Sequence, residues 1–205
     1  MTKSSLNNVS RETSTILSGF EQLVSKWTKH INLIAPNSLH EIRERHTVDS
    51  AQLFQFAPKS TKHWVDLGSG GGFPGIVLAA IAKDQSPKTR FTLVESDQRK
   101  STFLRAAIRE FDLNATVISE RIEEATPQHA DVITARALSP LTQLLGQTMR
   151  HIAPTGRAII PKGRNYNEEI NDARKKWSFE LTEVPSITAT DARILIVEDI
   201  KRERP

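Results

Sequence analysis

A glycine-rich stretch in the first half of the chain carries the clearest indication of a bound ligand. Gly68, Gly70 and Gly72 stand at alternate positions, after the apolar run 64–67 and before a second apolar run at 76–82. Glycine has no Cβ, so such a loop can adopt positive φ and let a flat ligand lie against the backbone at the carboxyl end of a strand. The pattern favours a site for a nucleotide-like ligand, although a glycine-rich turn that binds nothing is the structural alternative.

The spacing of the glycines distinguishes between two kinds of nucleotide-like ligand. A dinucleotide-binding loop follows G-x-G-x-x-G, and Phe73 occupies the place of its third glycine. The observed pattern, D-x-G-x-G-x-G starting at Asp66, resembles motif I of the S-adenosylmethionine-dependent methyltransferases. In that motif the glycines allow close approach to the methionine part of the cofactor. S-adenosylmethionine is therefore the expected cofactor, and NAD is disfavoured.

Further cofactor contacts are expected at the ends of the next two strand-like runs. Glu95 ends the second run, where a carboxylate can accept hydrogen bonds from both hydroxyls of a ribose. Ile122 and Glu123 follow the third run, where the methyltransferase fold places an apolar side chain against adenine and a polar group at its amino group. A surface charge or a helix cap at Glu95, and a charged turn at 120–124, are the alternatives.

Positive charge follows the fourth and fifth strand-like runs. Arg136 ends the fourth run, beside the point where open α/β sheets bind ligands. Lys162 and Arg164 flank a glycine after the fifth run, and a cationic rim there would suit a phosphate backbone. Arg45 and His46 in the N-terminal part are further candidates for RNA binding, although a hydrogen-bonded structural histidine is an equal alternative for His46.

The residue types that are absent from the sequence restrict which atom can be the methyl acceptor. The chain has no cysteine, which excludes disulfides, thiolate metal sites and the covalent adduct normally needed to methylate C5 of a pyrimidine. Arg136-Ala-Leu-Ser-Pro140 replaces the Asn/Asp-Pro-Pro-aromatic motif of many amino methyltransferases, which disfavours adenine N6. Guanine N7 has an in-plane lone pair and no proton, so its methylation needs no general base and would rest on positioning and electrostatics. We expect no metal site.

The order of apolar runs predicts the elements that position these residues. The expected strands are Trp64–Leu67, Phe91–Val94, Thr116–Ser119, Val132–Ala135, Arg157–Pro161, Phe179–Val184 and Ala192–Ile200. The expected helices between and after them are 76–83, 97–111, 141–152 and Asn167–Trp177. This alternation predicts a doubly wound α/β fold, a mostly parallel seven-stranded sheet covered on both faces, with the last two strands as an antiparallel pair at one edge.

The N-terminal part reads as helical and precedes the sheet. Apolar residues at helical spacing predict one amphipathic helix over 10–34, with Ser10 as its cap, and Ser38 to Glu41 has the form of a capping box that opens a second helix ending near Pro58. No linker-like composition separates this part from the rest. We therefore expect a helical cap over 1–60 and a cofactor-binding core over 61–205, packed as one compact unit.

Composition and charge fit an ordinary globular protein. Hydrophobic residues make up 38% and charged residues 25% of the 205, and the net charge of +4 permits an anionic partner without requiring one. No apolar run approaches the roughly 20 residues that span a bilayer, and the first residues lack the apolar stretch of a signal peptide. A cytoplasmic protein with no membrane partner is the expectation.

Several of these motifs together are similar to the small-subunit ribosomal RNA methyltransferase G family, also called glucose-inhibited division protein B. The similar features are Trp27, Asn32-Leu33, Arg45-His46, Asp49-Ser50, the loop 66–75 ending in Phe-Pro-Gly, Glu95-Ser96, Lys100, Phe103-Leu104, 121–124, Arg136-Ala137 and Lys162-Gly163. They extend over roughly residues 20 to 200. Thr28 and Ile34 depart from the family's usual Asn and Thr, which bears on the N-terminal contribution to RNA recognition.

The resemblance implies a Rossmann-like class I methyltransferase that transfers a methyl group from S-adenosylmethionine to N7 of a specific guanine in bacterial 16S rRNA. It implies cofactor contacts at Gly68, Phe73, Ile122, Glu123 and Arg136, with Arg136 and Lys162 as candidates for positioning the reactants. The expected partner is 16S rRNA within the small ribosomal subunit or an assembly intermediate, and the expected state is a monomer. An NAD-type oxidoreductase and a non-catalytic protein that binds the cofactor and docks on ribosomal RNA are the alternatives.

Overall fold

The computed structural model describes residues 9–203, so 1–8 of the predicted cap and 204–205 lie outside the described part. The α-helices are α1 Arg11–Trp27, α2 Asp49–Ala51, α3 Gly75–Gln85, α4 Gln98–Glu110, α5 Leu141–His151 and α6 Tyr166–Arg174. The strands are β1 His63–Leu67, β2 Arg90–Val94, β3 Ala115–Ile118, β4 Ala130–Thr134, β5 Ile152–Lys162, β6 Trp177–Pro185 and β7 Arg193–Arg202.

The seven strands form one sheet in the order β3-β2-β1-β4-β5-β7-β6. Strands β1 to β5 run parallel, whereas β7 is antiparallel to both β5 and β6. The predicted parallel sheet with an antiparallel pair at one edge is therefore confirmed. The strand order reverses between β1 and β4, and open α/β sheets bind ligands in the crevice at the carboxyl ends of such strands.

Helix α1 packs into the core on one face of the sheet. Phe20 is fully buried, and its ring lies 5.1 Å from the ring of Phe73, 6.2 Å from that of Phe103 and 6.5 Å from that of Phe111. A second cluster of buried apolar side chains fills the space between the other face of the sheet and α5 and α6. The sheet is thus covered on both sides, which its apolar strands require.

Helix α1 is shorter than the sequence predicts. The cap at Ser10 is confirmed, because its hydroxyl oxygen accepts a hydrogen bond from the Thr13 amide at 3.1 Å. The helix ends at Trp27, whose carbonyl accepts hydrogen bonds from the amides of both His30 and Ile31 in a tight turn. The prediction of a helix to residue 34 is wrong, because the chain turns there and carries the next segment towards the glycine loop.

The predicted second helix is replaced by four short pieces. These are a 3-10 helix Pro36–Glu41, a π-helix Arg43–Val48, α2, and a 3-10 helix Phe54–Phe56. Ser38 lies inside the first piece, where its hydroxyl donates to the carbonyl of Ala35 at 2.8 Å, so the predicted capping box is wrong. Pro36 starts this piece because its fixed φ suits the first turn of a helix.

Candidate functional site

The glycine loop joins β1 to α3 and faces a crevice at the carboxyl end of the sheet. Gly68, Gly70 and Gly72 all have positive φ. A Cβ at Gly70 would meet only the Gly68 carbonyl oxygen, at 3.8 Å, so this side of the loop is open. At Gly72, in contrast, a Cβ would lie 2.8 Å from atoms of Phe20 and Ile76. Gly70 therefore leaves room for a ligand, while Gly72 leaves room for α1.

Asp66 lies behind the glycine loop and connects the end of β1 to β4 and to the start of α3. Its carboxylate accepts a hydrogen bond from the Thr134 hydroxyl at 2.8 Å and one from the Gly75 amide at 3.2 Å. Burial raises the pKa of Asp66 to about 6, although these hydrogen bonds favour the charged form. The acidic residue that ends β1 is thus a structural support of the loop, at 1% exposure, and does not line the crevice.

Glu95 ties the loop to the next strand and presents a carboxylate to the crevice. One carboxylate oxygen accepts a hydrogen bond from the Gly70 amide at 2.8 Å, and the other accepts one from the Asp97 amide at 2.8 Å. Helix α4 is capped by Asp97, which accepts from the amides of Arg99 and Lys100. Glu95 is therefore not the helix cap, and each of its oxygens keeps a lone pair that can accept from a ligand hydroxyl.

The crevice is a cavity of about 710 Å³ at the carboxyl ends of β1, β2 and β4. Seven of the predicted cofactor-binding residues line it, namely Gly68, Gly70, Phe73, Glu95, Ile122, Glu123 and Arg136. The predicted RNA contacts Arg45 and His46 also line it, as do Leu33, Ile34 and Lys100. Its size lies within the range of small-molecule sites, and its walls combine apolar and charged groups as such sites do.

The loop after β3 forms one end of this cavity and is held by α5. Gln147 donates to the carboxylate of Glu123 at 2.5 Å, which lowers the pKa of Glu123. His151 donates from Nε2 to the Ile122 carbonyl at 2.8 Å, and Arg150 donates to the Ala125 carbonyl. The loop thus has fixed geometry, and Ile122, 7% exposed, presents an apolar surface to the cavity.

Arg136 is anchored by the N-terminal segment. Its guanidinium donates to Nδ1 of His46 at 2.8 Å, to the carboxylate of Asp49 at 3.2 Å and to the carbonyl of Arg45 at 3.1 Å. It also lies over the ring of Phe73, 5.6 Å from the centroid. Arg136 therefore joins the cap to the end of β4 and forms part of the cavity wall.

His46 is neutral and has both ring nitrogens engaged. Because Nδ1 accepts from Arg136, the proton lies on Nε2, which donates to the hydroxyl of Ser38 at 2.9 Å. Burial, the charge of Arg136 and that of Arg45 lower the pKa of His46 to about 4. The histidine consequently has the hydrogen-bonded structural environment that the sequence left as an equal alternative to RNA binding.

A second cavity of about 830 Å³ adjoins the first. The two share a wall formed by Arg45 and the segment 136–139. Lys162 lines the second cavity, but its ammonium group is held by the carboxylate of Glu169 at 2.7 Å and the carbonyl of Ser139 at 2.9 Å. Arg164 is exposed, with its guanidinium 3.8 Å from the carboxylate of Asp191.

The structure also brings to the cavity residues that the sequence analysis did not predict as cofactor contacts. Leu33 and Ile34 close over the glycine loop, and a Cβ at Gly71 would lie 2.7 Å from the Leu33 carbonyl oxygen. Gln147 bridges two loops, because its carbonyl oxygen accepts from Ser139 while its amide holds Glu123. The only local indication of this approach in the sequence is the run of three glycines at 70–72, in which Gly71 is the residue that Leu33 contacts. Nothing in the sequence around Gln147 indicates its role.

Metal sites and membrane-spanning helices are both absent from residues 9–203. No cluster of three or more metal-ligating side chains lies in this range. No helix among these residues combines the length and apolar character needed to cross a bilayer.

Structural comparison places the fold among known methyltransferases. A TehB-like SAM-dependent methyltransferase from Corynebacterium glutamicum aligns with a TM-score of 0.59 at 14% identity, over 88% of this chain and 98% of that one. An O-methyltransferase from Bacillus cereus, solved in complex with SAH, aligns with a TM-score of 0.59 at 13% identity, over 90% of this chain and 91% of that one. These similarities confirm the predicted Rossmann-like methyltransferase fold.

Sequence comparison identifies the family. A protein from Cereibacter sphaeroides strain ATCC 17029, named ribosomal RNA small subunit methyltransferase G, is 52% identical over 92% of this chain and 91% of its own length. A protein of the same name from Ruegeria pomeroyi is 49% identical over 95% of both chains. The family model for rRNA small subunit methyltransferase G matches residues 13–196. The chain therefore belongs to the rRNA small subunit methyltransferase G family.

Proposed function

We propose that this chain transfers a methyl group from S-adenosylmethionine to N7 of a specific guanine in bacterial 16S rRNA. The observation that carries the proposal is the pairing of two cavities across the wall 136–139, one built by the glycine loop and one of similar size beside it. A donor and an acceptor held on either side of one wall can be brought into line.

The residues of the first cavity suit S-adenosylmethionine. Gly70 lacks the Cβ that would fill the space above the loop, Glu95 has acceptor lone pairs for a ribose, and Ile122 offers an apolar face to a base. When bound, the cofactor supplies an electrophilic sulfonium methyl group. The chain's own contribution is to hold that group at the end of β4, with Phe73 and Arg136 as neighbouring walls.

The acceptor is inferred from the absence of a free imidazole base among the residues that line the first cavity, where Glu95 and Glu123 are assigned to the cofactor. His46 is the single histidine of that lining, and both its nitrogens are engaged at a pKa of about 4. Asp66 lies behind the loop, bonded to Thr134. Guanine N7 needs no base, because its lone pair is free at neutral pH. The carboxylate of Glu44 lines the second cavity and would favour the base as it becomes cationic.

We further propose that residues 1–60 act as a cap on the core 61–205. The contacts of Arg136 with His46 and Asp49, and the position of Leu33 at the cavity, support this division of roles. The cap would restrict water at the methyl group and orient the arginine.

The proposal includes 16S rRNA within the small subunit or an assembly intermediate as partner, a cytoplasmic location where that RNA is found, and a monomeric state. The monomer is supported by the small number of exposed large apolar side chains among residues 9–203, which are Met149 and Ile187.

Transfer of labelled methyl from S-adenosylmethionine tests the proposal directly. The purified chain is incubated with naked 16S rRNA, with assembled small subunits, and with large-subunit rRNA as control, and N7-methylguanine is mapped at nucleotide resolution. We expect label at N7 of one guanine in small-subunit RNA alone. Binding of S-adenosylhomocysteine without transfer to any substrate would favour a non-catalytic binder, and binding of NADH instead would favour an oxidoreductase.

A further inference from the structure

Of the four side chains predicted to bind RNA, one is neutral and the other three each lie within 4 Å of a carboxylate. Lys162 is bonded to Glu169 and is only 10% exposed, and His46 is neutral. The guanidinium of Arg45 lies 3.5 Å from Glu41, and that of Arg164 lies 3.8 Å from Asp191. Binding of an RNA backbone requires cations that can exchange their counterions for phosphates. Other positive groups must therefore supply much of this charge.

Helix α4 carries two such groups on its solvent face. Arg105 and Arg109 are exposed, and neither side chain forms a hydrogen bond or ion pair with any residue in 9–203. Gln98 and Thr102 share this face, since the spacings of three and four residues repeat with the helical turn. The face therefore presents two free cations and two neutral polar groups along the helix.

The end of α1 carries a second pair of free cations. Lys26, in the last turn of α1, and Lys29, in the turn that follows the helix, are exposed and form no side-chain hydrogen bond or ion pair with residues 9–203. Gln22 lies one turn before Lys26 on the same exposed face. Like the face of α4, this segment combines lysine or arginine with neutral polar side chains, which are the groups that contact phosphates and sugars.

The two helices lie side by side and lead to the cofactor cavity. The ring of Trp27 packs 5.5 Å from that of Phe103, while Phe20, two turns earlier on α1, reaches Phe111 near the end of α4. The helices are consequently antiparallel, with the end of α1 beside the first half of α4. Leu33, after the end of α1, and Lys100, in the first turn of α4, line the cavity.

The opposite side of the molecule does not offer a comparable surface. Helix α6 carries Glu168, Glu169 and Asp172, and the edge strands add exposed acidic groups at Glu180 and Glu183. A polyanion would meet both signs of charge there. On α4, Glu110 is exposed beside Arg109, but the face shared by Gln98, Thr102, Arg105 and Arg109 includes no carboxylate.

We infer that the α1/α4 face, defined by Lys26, Lys29, Arg105 and Arg109, binds the RNA phosphodiester backbone and guides it to the cofactor cavity. The inference rests on the proposed function, because it identifies the surface by which the same RNA substrate is held. Arg105 and Arg109 are one helical turn, about 6 Å, apart, so they contact neighbouring backbone positions. These residues act on affinity and take no part in the chemical step.

Two double variants test this surface, Arg105→Gln with Arg109→Gln and Lys26→Gln with Lys29→Gln. Glutamine keeps much of the side-chain length and helix propensity while removing the charge. The matched control is Lys59→Gln with Lys88→Gln, which removes the same charge from exposed lysines that form no ion pair with residues 9–203 and precede the amino ends of β1 and β2, away from the cavity edge of the sheet. For each protein, the dissociation constant for small-subunit rRNA is measured between 50 and 200 mM salt, which spans roughly the range where phosphate contacts dominate.

Each α1/α4 variant is expected to bind RNA about 5–10-fold more weakly at low salt, with a salt slope reduced by about 1–2, whereas the control keeps the slope of the unmodified protein. Cofactor affinity in calorimetry and the rate at saturating RNA should be unchanged. If the salt slopes of the α1/α4 variants are unaltered while the unmodified chain methylates 16S rRNA, the α1/α4 face is refuted and the proposed function is not. An equal loss of affinity in the control variant would refute the face in the same way. If the unmodified chain neither binds nor methylates this RNA, the proposed function fails and the surface with it.

Discussion

The neutral side chain of His46 holds the charged side chain of Arg136 in place through a hydrogen bond. The imidazole accepts from the guanidinium and donates to Ser38, whose hydroxyl donates in turn to the Ala35 carbonyl. Protonation of His46 would break the bond to Arg136 and place two cations 2.8 Å apart. The low pKa of His46 and the fixed position of Arg136 are therefore two consequences of one arrangement.

This arrangement predicts a component of acid sensitivity. The pKa of His46 is about 4 in the folded state against an ordinary value of 6.5, so the unfolded chain binds more protons between these values. The stability contributed by neutral His46 is present above pH 6.5 and is lost as the pH falls towards 4. Allowing for solvent screening of a partly exposed ring, we expect a loss of about 1–2 kcal/mol.

Denaturant unfolding of the unmodified protein and of His46→Gln at pH 7 and about pH 4.5 measures this component. The stability difference between the two proteins should shrink at the lower pH. Asp66, whose pKa is raised to about 6, titrates in both proteins and cancels in the comparison. A difference that is the same at both pH values would contradict the role of His46.

Gly70→Val tests the open side of the glycine loop. The valine side chain would enter the space where the cofactor is proposed to lie, so we expect cofactor affinity to fall at least about 100-fold while the protein still folds, with a strain of about 1–3 kcal/mol from positive φ. Gly163→Val is the control, because a Cβ there has no neighbour within 4 Å and φ is not positive. Unchanged affinity of Gly70→Val in calorimetry would rule out this position for the cofactor.

At the scale of elements, α5 supports the loop after β3, where the adenine of the cofactor is proposed to lie. Gln147, Arg150 and His151 each bond the loop after β3, and Gln147 also accepts from Ser139 in the wall between the cavities. A loop of charged residues would otherwise be free to move, since Glu120 and Arg121 are exposed. The helix thus couples the position of Ile122 and Glu123 to that of the segment after β4.

Gln147→Leu should weaken cofactor binding about 5–10-fold without unfolding the protein. Leucine has similar bulk but leaves Glu123 and Ser139 without a partner, so the loop gains alternative positions. Gln22→Leu is the matched control, because Gln22 is exposed, lines neither cavity and forms no side-chain hydrogen bond with residues 9–203. If calorimetry gives equal losses for both variants, Gln147 does not position the loop.

For the whole molecule, the decisive contact is the burial of α1 against the core. Phe20 packs on Phe73 of the glycine loop and on Phe103 of α4, and Gly72 makes room for its ring. The loop that faces the cofactor cavity on one side therefore rests on the N-terminal helix on the other. Cap and core are expected to unfold together.

Phe20→Ala tests this expectation by leaving a cavity under the loop. We expect a loss of about 3–5 kcal/mol in the free energy of unfolding, in a single transition, together with weaker cofactor binding. Met149→Ala, at a side chain that is 43% exposed, should cost less than about 1 kcal/mol. Two separate unfolding transitions followed by different probes would indicate that the cap folds independently.

Prediction from sequence succeeded where the determinants are local. The burial of β1 and the positive φ of Gly68 and Gly70 follow from an apolar run and glycines that adjoin in the chain. It failed over 28–58, where Leu33 packs on the glycine loop and the polar residues His46 and Asp49 hold Arg136. Helical spacing in this segment indicates which residues are buried. It does not predict the backbone conformation, because the contacts that bury these residues require tight turns.

The sequence by itself determined the sheet, the glycine loop and the family, because each depends on residue types at short spacing or on their match to relatives. Only the tertiary structure decided the roles of Arg136, Lys162 and Gly72. His46 and Arg136 are 90 positions apart, and Phe20 and Gly72 meet across the core. The sequence around any one of these residues therefore does not indicate its partner. Folding makes Arg136 and Lys162 anchors, and it leaves Lys26, Lys29, Arg105 and Arg109 without an ion pair among residues 9–203.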